Sequence, residues 1–375
     1  MQFSQVIGQE RTKQALRRMV VSDRMSHALL FLGGEGSGKL ALALGFAQYV
    51  LCTNRQGSDS CGKCSNCIKA EKLVHPDIHY AYPTVGSKAV STNLLPEWRK
   101  AMAKNPYLNA TEWLQYIGAE NKQGNITKDE CVEIIKKLSL KIFEGSHKIL
   151  IMWLPEYLGK EGNRLLKLIE EPPPRTLFIL VAENQELILN TILSRCQIVK
   201  INPLSDQEVK EALMQKRGVA KEQAVALANL AEGNFNEALN LLENTKSDNA
   251  TLFLEWMRLC YLGNGVNLMD WVERFSKIGR ENQKHFLKYG LHFMREYMLL
   301  KLTGAGNVRL LPEELKTAQN LTKIIELNQV EAITHLFNDC AYYVERNANP
   351  RILFLDASLQ MNTILKTPSL IMNDR

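Results

Sequence analysis

Two clusters in this 375-residue chain combine residue types and spacing that can do chemistry. The first is GGEGSGKL, Gly33 to Leu40. Its G-x-x-x-x-G-K order is that of a phosphate-binding loop. Gly33, Gly34, Gly36 and Gly38 permit positive φ, so successive backbone N–H groups can turn toward one anion. Lys39 would reach the terminal phosphates, and a helix starting here would add partial positive charge from its N-terminus. The following residue is Leu40, where the pattern wants a hydroxyl to hold Mg²⁺, and a leucine cannot ligate a metal. The loop formed by Gly33, Gly36, Gly38 and Lys39 is therefore expected to be a degenerate nucleotide site, with its occupancy by ATP or ADP left open.

The second cluster is Cys52, Cys61, Cys64 and Cys67, spaced C-x8-C-x2-C-x2-C. Short C-x2-C steps place thiolates close enough for one tetrahedral ion, and a looped-in fourth cysteine completes the shell. Gly62 lets the chain turn within the first step. The expectation is a structural Zn²⁺, because four thiolates leave no open position for a catalytic one. Cys131, Cys196, Cys260 and Cys340 are scattered and read as small core residues.

The elements that must hold these clusters follow from periodicity. Ala28 to Leu32 reads as a buried strand, and Ala41 to Val50 as a buried helix. Strand, glycine-rich turn and helix form the setting a phosphate loop needs. Before them, Phe3 to Val21 includes a helix with Ala15, Leu16, Met19 and Val20 on one face. His75 to Tyr82 is a turn entering a second strand. Gly86 to Gly124 lacks a clear period and is expected to be an insertion with one or two helices, its tryptophans Trp98 and Trp113 serving packing. Thr127 and Glu130 form a capping pattern ahead of a helix carrying Val132, Ile135, Leu138 and Ile142. Ile149 to Leu154 is a strand, and Asn163 to Glu171 a helix stopped by Pro172 to Pro174. Leu177 to Ala182 is a strand, Leu187 to Ser194 a short helix and Gln197 to Ile201 a last strand. Strands alternating with helices imply a parallel sheet covered on both faces.

Beyond Pro203 the pattern is helical. Ser205 and Glu208 form a capping box opening a helix to Lys216, and Lys221 to Ala231 and Asn234 to Glu243 follow. Thr245 to Asn249 reads as a polar linker. Five helical segments come after it: Leu252 to Leu262, Leu268 to Phe275, Gln283 to Leu302, Glu326 to Val344 and Ile352 to Leu365. The expected division is an α/β domain over 1–202, with a zinc module at 52–67 and an insertion near 86–124, then a small helical lid over 203–245 and a helical domain over 250–375.

Bulk properties bound the function. A net charge of +6 permits nucleic-acid contact without arguing strongly for it. No apolar run approaches the roughly 20 residues of a membrane span. The polar N-terminus has no signal-peptide h-region, so a cytoplasmic location and no membrane partner are expected. In that reducing compartment clustered cysteines favour metal over disulfides.

Taken together, the phosphate loop, the cysteine cluster after its helix, LLKLIEEPPP at Leu165 to Pro174 and ILSRC at Ile192 to Cys196 resemble bacterial clamp-loader subunits of the AAA+ class, in the same order. VIGQE at Val6 to Glu10 and HALLFLG at His27 to Gly33 fit as well. The resemblance covers Met1 to about Glu243 by motif and the remainder by position and helicity. It implies an AAA+ α/β P-loop domain, a helical lid and a helical collar. It also implies a DNA polymerase III clamp-loader ring with gamma/tau and delta subunits, which places a sliding clamp on primed DNA.

That family contains ATP-hydrolysing gamma/tau-type subunits and delta-prime-type stators with decayed sites. Three departures favour the second. Leu40 replaces the Mg²⁺-binding hydroxyl. Trp153-Leu154 stands where the third strand should end in Asp-Glu, with Glu156 the nearby carboxylate. Asn236, in GNFNEA, stands where a phosphate-sensing arginine is usual. Arg195 of the SRC motif survives, and the resemblance implies a trans arginine finger there, pointing at a neighbour's ATP. Intrinsic ATPase activity is thus not expected, although the assembly belongs to a DNA-directed DNA polymerase holoenzyme. The alternatives are an active gamma/tau-type ATPase and a zinc-dependent nucleic-acid-binding module. The second lacks interleaved aromatic and basic residues of the stacking kind. Lys136, Lys137 and Lys141 could face DNA or simply solvent.

Overall fold

Five strands form one parallel sheet in the order β2-β3-β4-β1-β5, where β1 is Ala28–Leu32, β2 Ile78–Ala81, β3 Lys148–Trp153, β4 Thr176–Ala182 and β5 Gln197–Lys200. The computed structural model describes residues 1–366 apart from 56, 120–121, 244–248, 305, 307 and 311. Every residue of β3 and β4 is buried, as a sheet covered on both faces requires. β1 lies between β4 and β5, with Leu29 opposite Ile179 on one side and Gln197 on the other. Ligands of such sheets gather at the carboxyl ends of central strands, and the phosphate loop leaves β1 at that end.

Helices α1 (Glu10–Val21), α2 (Lys39–Leu51), α3 (Ser65–Glu71), α4 (Leu95–Lys104), α5 (Ala110–Tyr116), α6 (Lys128–Ser139), α7 (Leu166–Glu170) and α8 (Asn190–Leu193) accompany the sheet. α2 is buried along its whole length, which explains its lack of a polar face. One core cluster joins Leu30 of β1, Leu150 of β3, Leu180 of β4 and Cys131, Ile134 and Leu138 of α6. Three more helices follow, α9 (Asp206–Arg217), α10 (Lys221–Ala231) and α11 (Phe235–Glu243). α9 opens on the expected capping box: the Ser205 hydroxyl accepts from the Glu208 N–H, and the Glu208 carboxylate accepts from the Ser205 N–H at 2.7 Å. The architecture is that of a parallel α/β domain with a phosphate loop, and Met1–Leu239 forms one compact unit.

The second unit, Asn240–Arg375, is helical. It contains α12 (Asn249–Leu262), α13 (Gly265–Phe275), α14 (Arg280–Thr303), α15 (Pro312–Leu321), α16 (Leu327–Glu345) and α17 (Pro350–Lys366). Aromatic rings fill its core: Trp256 stacks on Trp271 at 5.7 Å, and Trp271 on Phe275 at 4.5 Å. The Trp256 indole N–H donates to the Ser358 hydroxyl at 2.9 Å, so its polar edge is satisfied inside the core.

Several local expectations need correction. On α6 the buried stripe is Cys131, Ile134 and Leu138; Val132 and Ile135 are exposed, and Ile142 lies beyond the helix end. The apolar residues there supply two overlapping stripes, and the one that includes Cys131 wins the core. On α1 Leu16 is buried and Ala15 is not, while Lys13 is buried because its ammonium donates to the Val6 carbonyl at 2.8 Å. The helix expected over Asn163 to Glu171 is instead the end of a 3-10 segment, Pro155–Leu165, broken at Gly159 with φ 49°, followed by the short α7. Cys196 is half-buried rather than fully in the core. α15 has no counterpart in the sequence reading, because its buried positions are Glu314 and Ala318, which give little apolar signal. Of the expected linker, Asn249 begins α12 and the rest lies outside the described residues.

Candidate functional site

The phosphate loop follows β1 and runs into α2, with Gly36 and Gly38 at φ 62° and 86°. Those values suit glycine and let the loop curl. Lys39 is 4% exposed. Its ammonium donates to the Gly34 carbonyl at 3.0 Å and to the Glu183 carboxylate at 2.9 Å. The Ser37 hydroxyl donates to the same Gly34 carbonyl at 2.7 Å. Glu183 follows β4 and was missed by the sequence reading, which counted Glu156 as the nearby carboxylate. No motif marks Glu183; only the parallel pairing of β1 with β4 brings it to the lysine.

Glu156 is turned toward the end of β4, where its Oε1 accepts the N–H groups of Glu183 at 2.5 Å and Asn184 at 2.9 Å. It fixes the backbone from which the Glu183 side chain reaches Lys39. Burial raises the Glu156 pKa against these hydrogen bonds. Burial, and then the charge of Glu183, raises that of Glu35 on the loop itself. Of the three carboxylates, Glu183 pairs with Lys39 directly, while Glu35 and Glu156 each feel the charge of Glu183.

The positions expected to serve Mg²⁺ are built into packing. Leu40 is 2% exposed. Trp153, at the end of β3, is buried with its ring 5.4 Å from Trp98. Trp98 stacks on Tyr82 at 4.1 Å, and Trp113 meets both edge-on. The insertion therefore closes over the carboxyl ends of β2 and β3 through its two tryptophans. The Trp113 indole N–H is satisfied by the Pro83 carbonyl at 2.8 Å.

The same insertion ties the phosphate loop to the helices after residue 203. Asn236, where the resemblance leads one to expect a phosphate-sensing arginine, is 1% exposed. Its Oδ1 accepts from Asn105 at 2.6 Å, and its Nδ2 donates to the Glu112 carboxylate at 2.7 Å. The Phe235 N–H donates to the Gly36 carbonyl at 3.1 Å, and the Phe235 ring packs edge-on against Tyr107 at 5.1 Å. The Tyr107 hydroxyl accepts the Ile7 N–H at 2.9 Å. A Cβ on Gly36 would stand 1.8 Å from the Asn234 carboxamide oxygen, and one on Gly38 would stand 2.9 Å from the Tyr107 ring.

The four clustered cysteines converge, with their sulfur atoms all within 4.8 Å of one another. A tetrahedral ion with bonds of about 2.3 Å needs thiolates about 3.8 Å apart, and Cys61 and Cys67 sit at 3.9 Å. Backbone N–H groups point at the sulfurs, from Cys61 to Cys52 at 3.2 Å and from Cys64 to Cys61 at 3.3 Å. Such bonds stabilise thiolates. Burial pushes the Cys64 thiol up, but hydrogen bonds from Thr53 and Cys67 outweigh it and bring the pKa to about 6. The donor set fits a thiolate-bound metal ion.

Arg195 lies after α8, half-buried. Its guanidinium donates to the Thr191 carbonyl at 2.7 Å and to the Glu170 carboxylate at 3.1 Å. Glu170 belongs to LLKLIEEPPP, so that motif and ILSRC touch.

The first unit is thus a phosphate-loop α/β domain in which Leu40, Trp153 and Asn236, the positions expected to handle nucleotide, are buried and packed. A family model described as "DNA polymerase III, delta subunit" matches residues 8–205, more than half of the chain, and the chain belongs to that family. It is similar to DNA polymerase III subunit delta' of Bacillus subtilis, 29% identical over 238 residues, covering 63% of this chain and 60% of that protein. DNA polymerase III subunit delta' of Escherichia coli is 26% identical over 223 residues, covering 59% and 55%. The tau subunit of Bacillus subtilis is 24% identical over 378 residues, covering 94% of this chain and 60% of the relative. The matches span little more than half the length of these relatives. Among the described residues no helix is long and apolar enough to cross a membrane.

Proposed function

We propose that the chain is a delta-prime-type, non-hydrolysing subunit of the DNA polymerase III clamp loader. The observation that carries this reading is the joint replacement at the nucleotide site. Leu40 and Trp153 are buried apolar side chains where Mg²⁺ needs oxygen ligands, and Asn236 is held by Asn105 and Glu112. On this reading the chain divides into the AAA+ domain over 1–202, the lid over 203–245 and a collar over 250–375. Its partners are the gamma/tau and delta subunits and, in the assembled ring, the sliding clamp and primed DNA, in the cytoplasm. Cys52, Cys61, Cys64 and Cys67 hold a structural Zn²⁺, which supplies folding energy to the 52–67 loop and takes no part in chemistry.

Arg195 supplies the arginine finger to a neighbouring subunit's ATP. A fixed guanidinium stabilises charge spread over phosphoryl oxygens in the transition state without any nucleotide of its own. The tau relative, which aligns along 94% of this chain, favours a gamma/tau-type ATPase as the second reading. Reconstitution with gamma/tau and delta subunits separates the two. The isolated chain should hydrolyse no ATP, and the assembled complex should lose ATPase and clamp-loading rate when Arg195→Ala is introduced. Removing such a finger typically costs about 10³-fold at the site it serves. Turnover by the isolated chain, abolished by Lys39→Ala, would establish the gamma/tau reading. Unchanged rates in a fully assembled Arg195→Ala complex would remove the finger.

A further inference from the structure

We infer that the phosphate loop carries its own resident anion, the Glu183 carboxylate, and that this internal ligand keeps nucleotide phosphates off Lys39. The inference deepens the reading of the loop given above and rests on its geometry. Lys39 is nearly inaccessible, its side chain being 5% exposed, and its ammonium already has two oxygen partners, the Gly34 carbonyl and the Glu183 carboxylate. A lysine buried to that extent requires a counter-charge, since an uncompensated ammonium away from water is strongly disfavoured. In a phosphate loop the bound anion supplies it. Here the protein does.

The position of Glu183 is not incidental to its side chain. Its backbone N–H, and that of Asn184, are gripped by the Glu156 carboxylate. That grip fixes the chain where it leaves β4, one register step beyond the pairing of Leu32 with Ala182. A second carboxylate, Glu35, lies on the loop itself and is electrostatically coupled to both Glu183 and Lys39. An incoming phosphate would meet the Glu183 carboxylate already on the lysine that should bind it, and the charge of Glu35 on the same loop. The backbone adds a steric element, because Phe235 bonds to the Gly36 carbonyl and Tyr107 lies against Gly38.

Removing the internal anion should therefore uncover a phosphate site. Glu183→Gln keeps the shape and the hydrogen-bonding oxygen but loses the charge. The test titrates inorganic pyrophosphate, and separately ADP, into the full-length chain by calorimetry, with melting temperature as a second readout. The wild-type chain should show no binding and no thermal shift at about 1 mM ligand, whereas Glu183→Gln should bind at least about tenfold more tightly and melt higher with pyrophosphate present. The double variant Lys39→Met/Glu183→Gln should lose the gain, which ties it to the lysine. Glu183→Asp, whose shorter side chain draws back from Lys39, should fall between the two and serves if Glu183→Gln does not fold. Equal affinity in the wild-type and charge-removed chains, whether tight or absent, would overturn the inference, as would a gain that survives loss of Lys39. None of these results bears on the stator reading, which is refuted only by ATP turnover.

Discussion

Asn236→Ala tests whether the helices after residue 203 are latched to the phosphate-loop domain. The substitution removes the hydrogen bond accepted from Asn105 at 2.6 Å and the one donated to Glu112 at 2.7 Å. A neutral hydrogen bond contributes about 1 kcal/mol net, and one to an ionised carboxylate about 1.5–3 kcal/mol. Asn236 is 1% exposed, so water does not replace the lost partners without local opening. The expected loss is about 2–4 kcal/mol, confined to the contact between α11 and the insertion. Since 1.36 kcal/mol is tenfold, amide protection in α10 and α11 should fall by about 10²-fold. Hydrogen exchange on the full-length protein measures this directly and separates it from the second unit. Asn236→Asp should be at least as disruptive, because it sets a carboxylate against Glu112. Protection in α10 and α11 that changes by less than about threefold would refute the latch, and would mean that other contacts, such as those of Phe235 with Gly36 and Tyr107, hold these helices.

Three further outcomes follow from the same geometry. Protein purified without chelators should contain one Zn²⁺ per chain by elemental analysis, and Cys64→Ser should lower metal retention and expose 52–67 to proteolysis; an absence of metal would end the zinc reading. The isolated chain should show negligible ATPase activity, indistinguishable from Lys39→Ala, because no Mg²⁺ ligand stands at Leu40 or Trp153; a rate typical of AAA+ ATPases would contradict this. Stability should fall in acid partly through His79, whose pKa is lowered to about 4 by burial and by Lys137. A depressed folded pKa means that the unfolded chain binds the extra proton, so this contribution is complete above about pH 6.5 and lost between there and about pH 4, amounting to at most about 3 kcal/mol. Urea unfolding of wild type and His79→Gln at about pH 7, 5.5 and 4.5 should show a shallower decline in the variant, and parallel declines would exclude His79.

The strands around the phosphate loop were legible because they are short apolar runs bounded by glycine, proline or polar turns. β1 spans the expected Ala28 to Leu32, and β4 starts one residue early at Thr176. Caps were legible where both halves are local, as at Ser205 and Glu208. The Thr127 cap is only half of the expected pair, because Glu130 turns away to accept the Ser91 N–H at 2.5 Å. Contacts between distant segments left no local trace. Nothing in Gly86 to Gly124 announces that Asn105, Tyr107 and Glu112 hold Asn236 and Phe235, and nothing beside Ala182 marks Glu183 as the partner of Lys39. Periodicity failed on α6 because a helix with apolar residues on two stripes does not say which stripe is buried, and a cysteine settled it.

On the proposed function, the replacements expected at the nucleotide site and the retention of Arg195 obey one physical rule. A Mg²⁺ site without its ion concentrates like charges, and here Glu35 and Glu156 both already feel the charge of Glu183, the partner of Lys39. Asp-Glu at 153–154 would add two more carboxylates beside buried rings. Trp153 instead contributes area and ring contacts to the cluster with Trp98, so packing stands where carboxylates would be an electrostatic liability. Arg195 is under no such pressure. Its side chain is 31% exposed, and its partner Glu170 is 56% exposed. An exposed pair of that kind is worth about 0–1 kcal/mol, so the fold gains little from keeping it and loses little when it opens. On the proposed finger reading, the guanidinium keeps its bond to the Thr191 carbonyl and exchanges Glu170 for the stronger charge of a neighbour's phosphates. Charge reversal at the partner makes the point testable: Glu170→Lys should leave the melting temperature of the chain nearly unchanged while altering ATP turnover by the assembled complex, and a large loss of stability would instead make the pair a structural one.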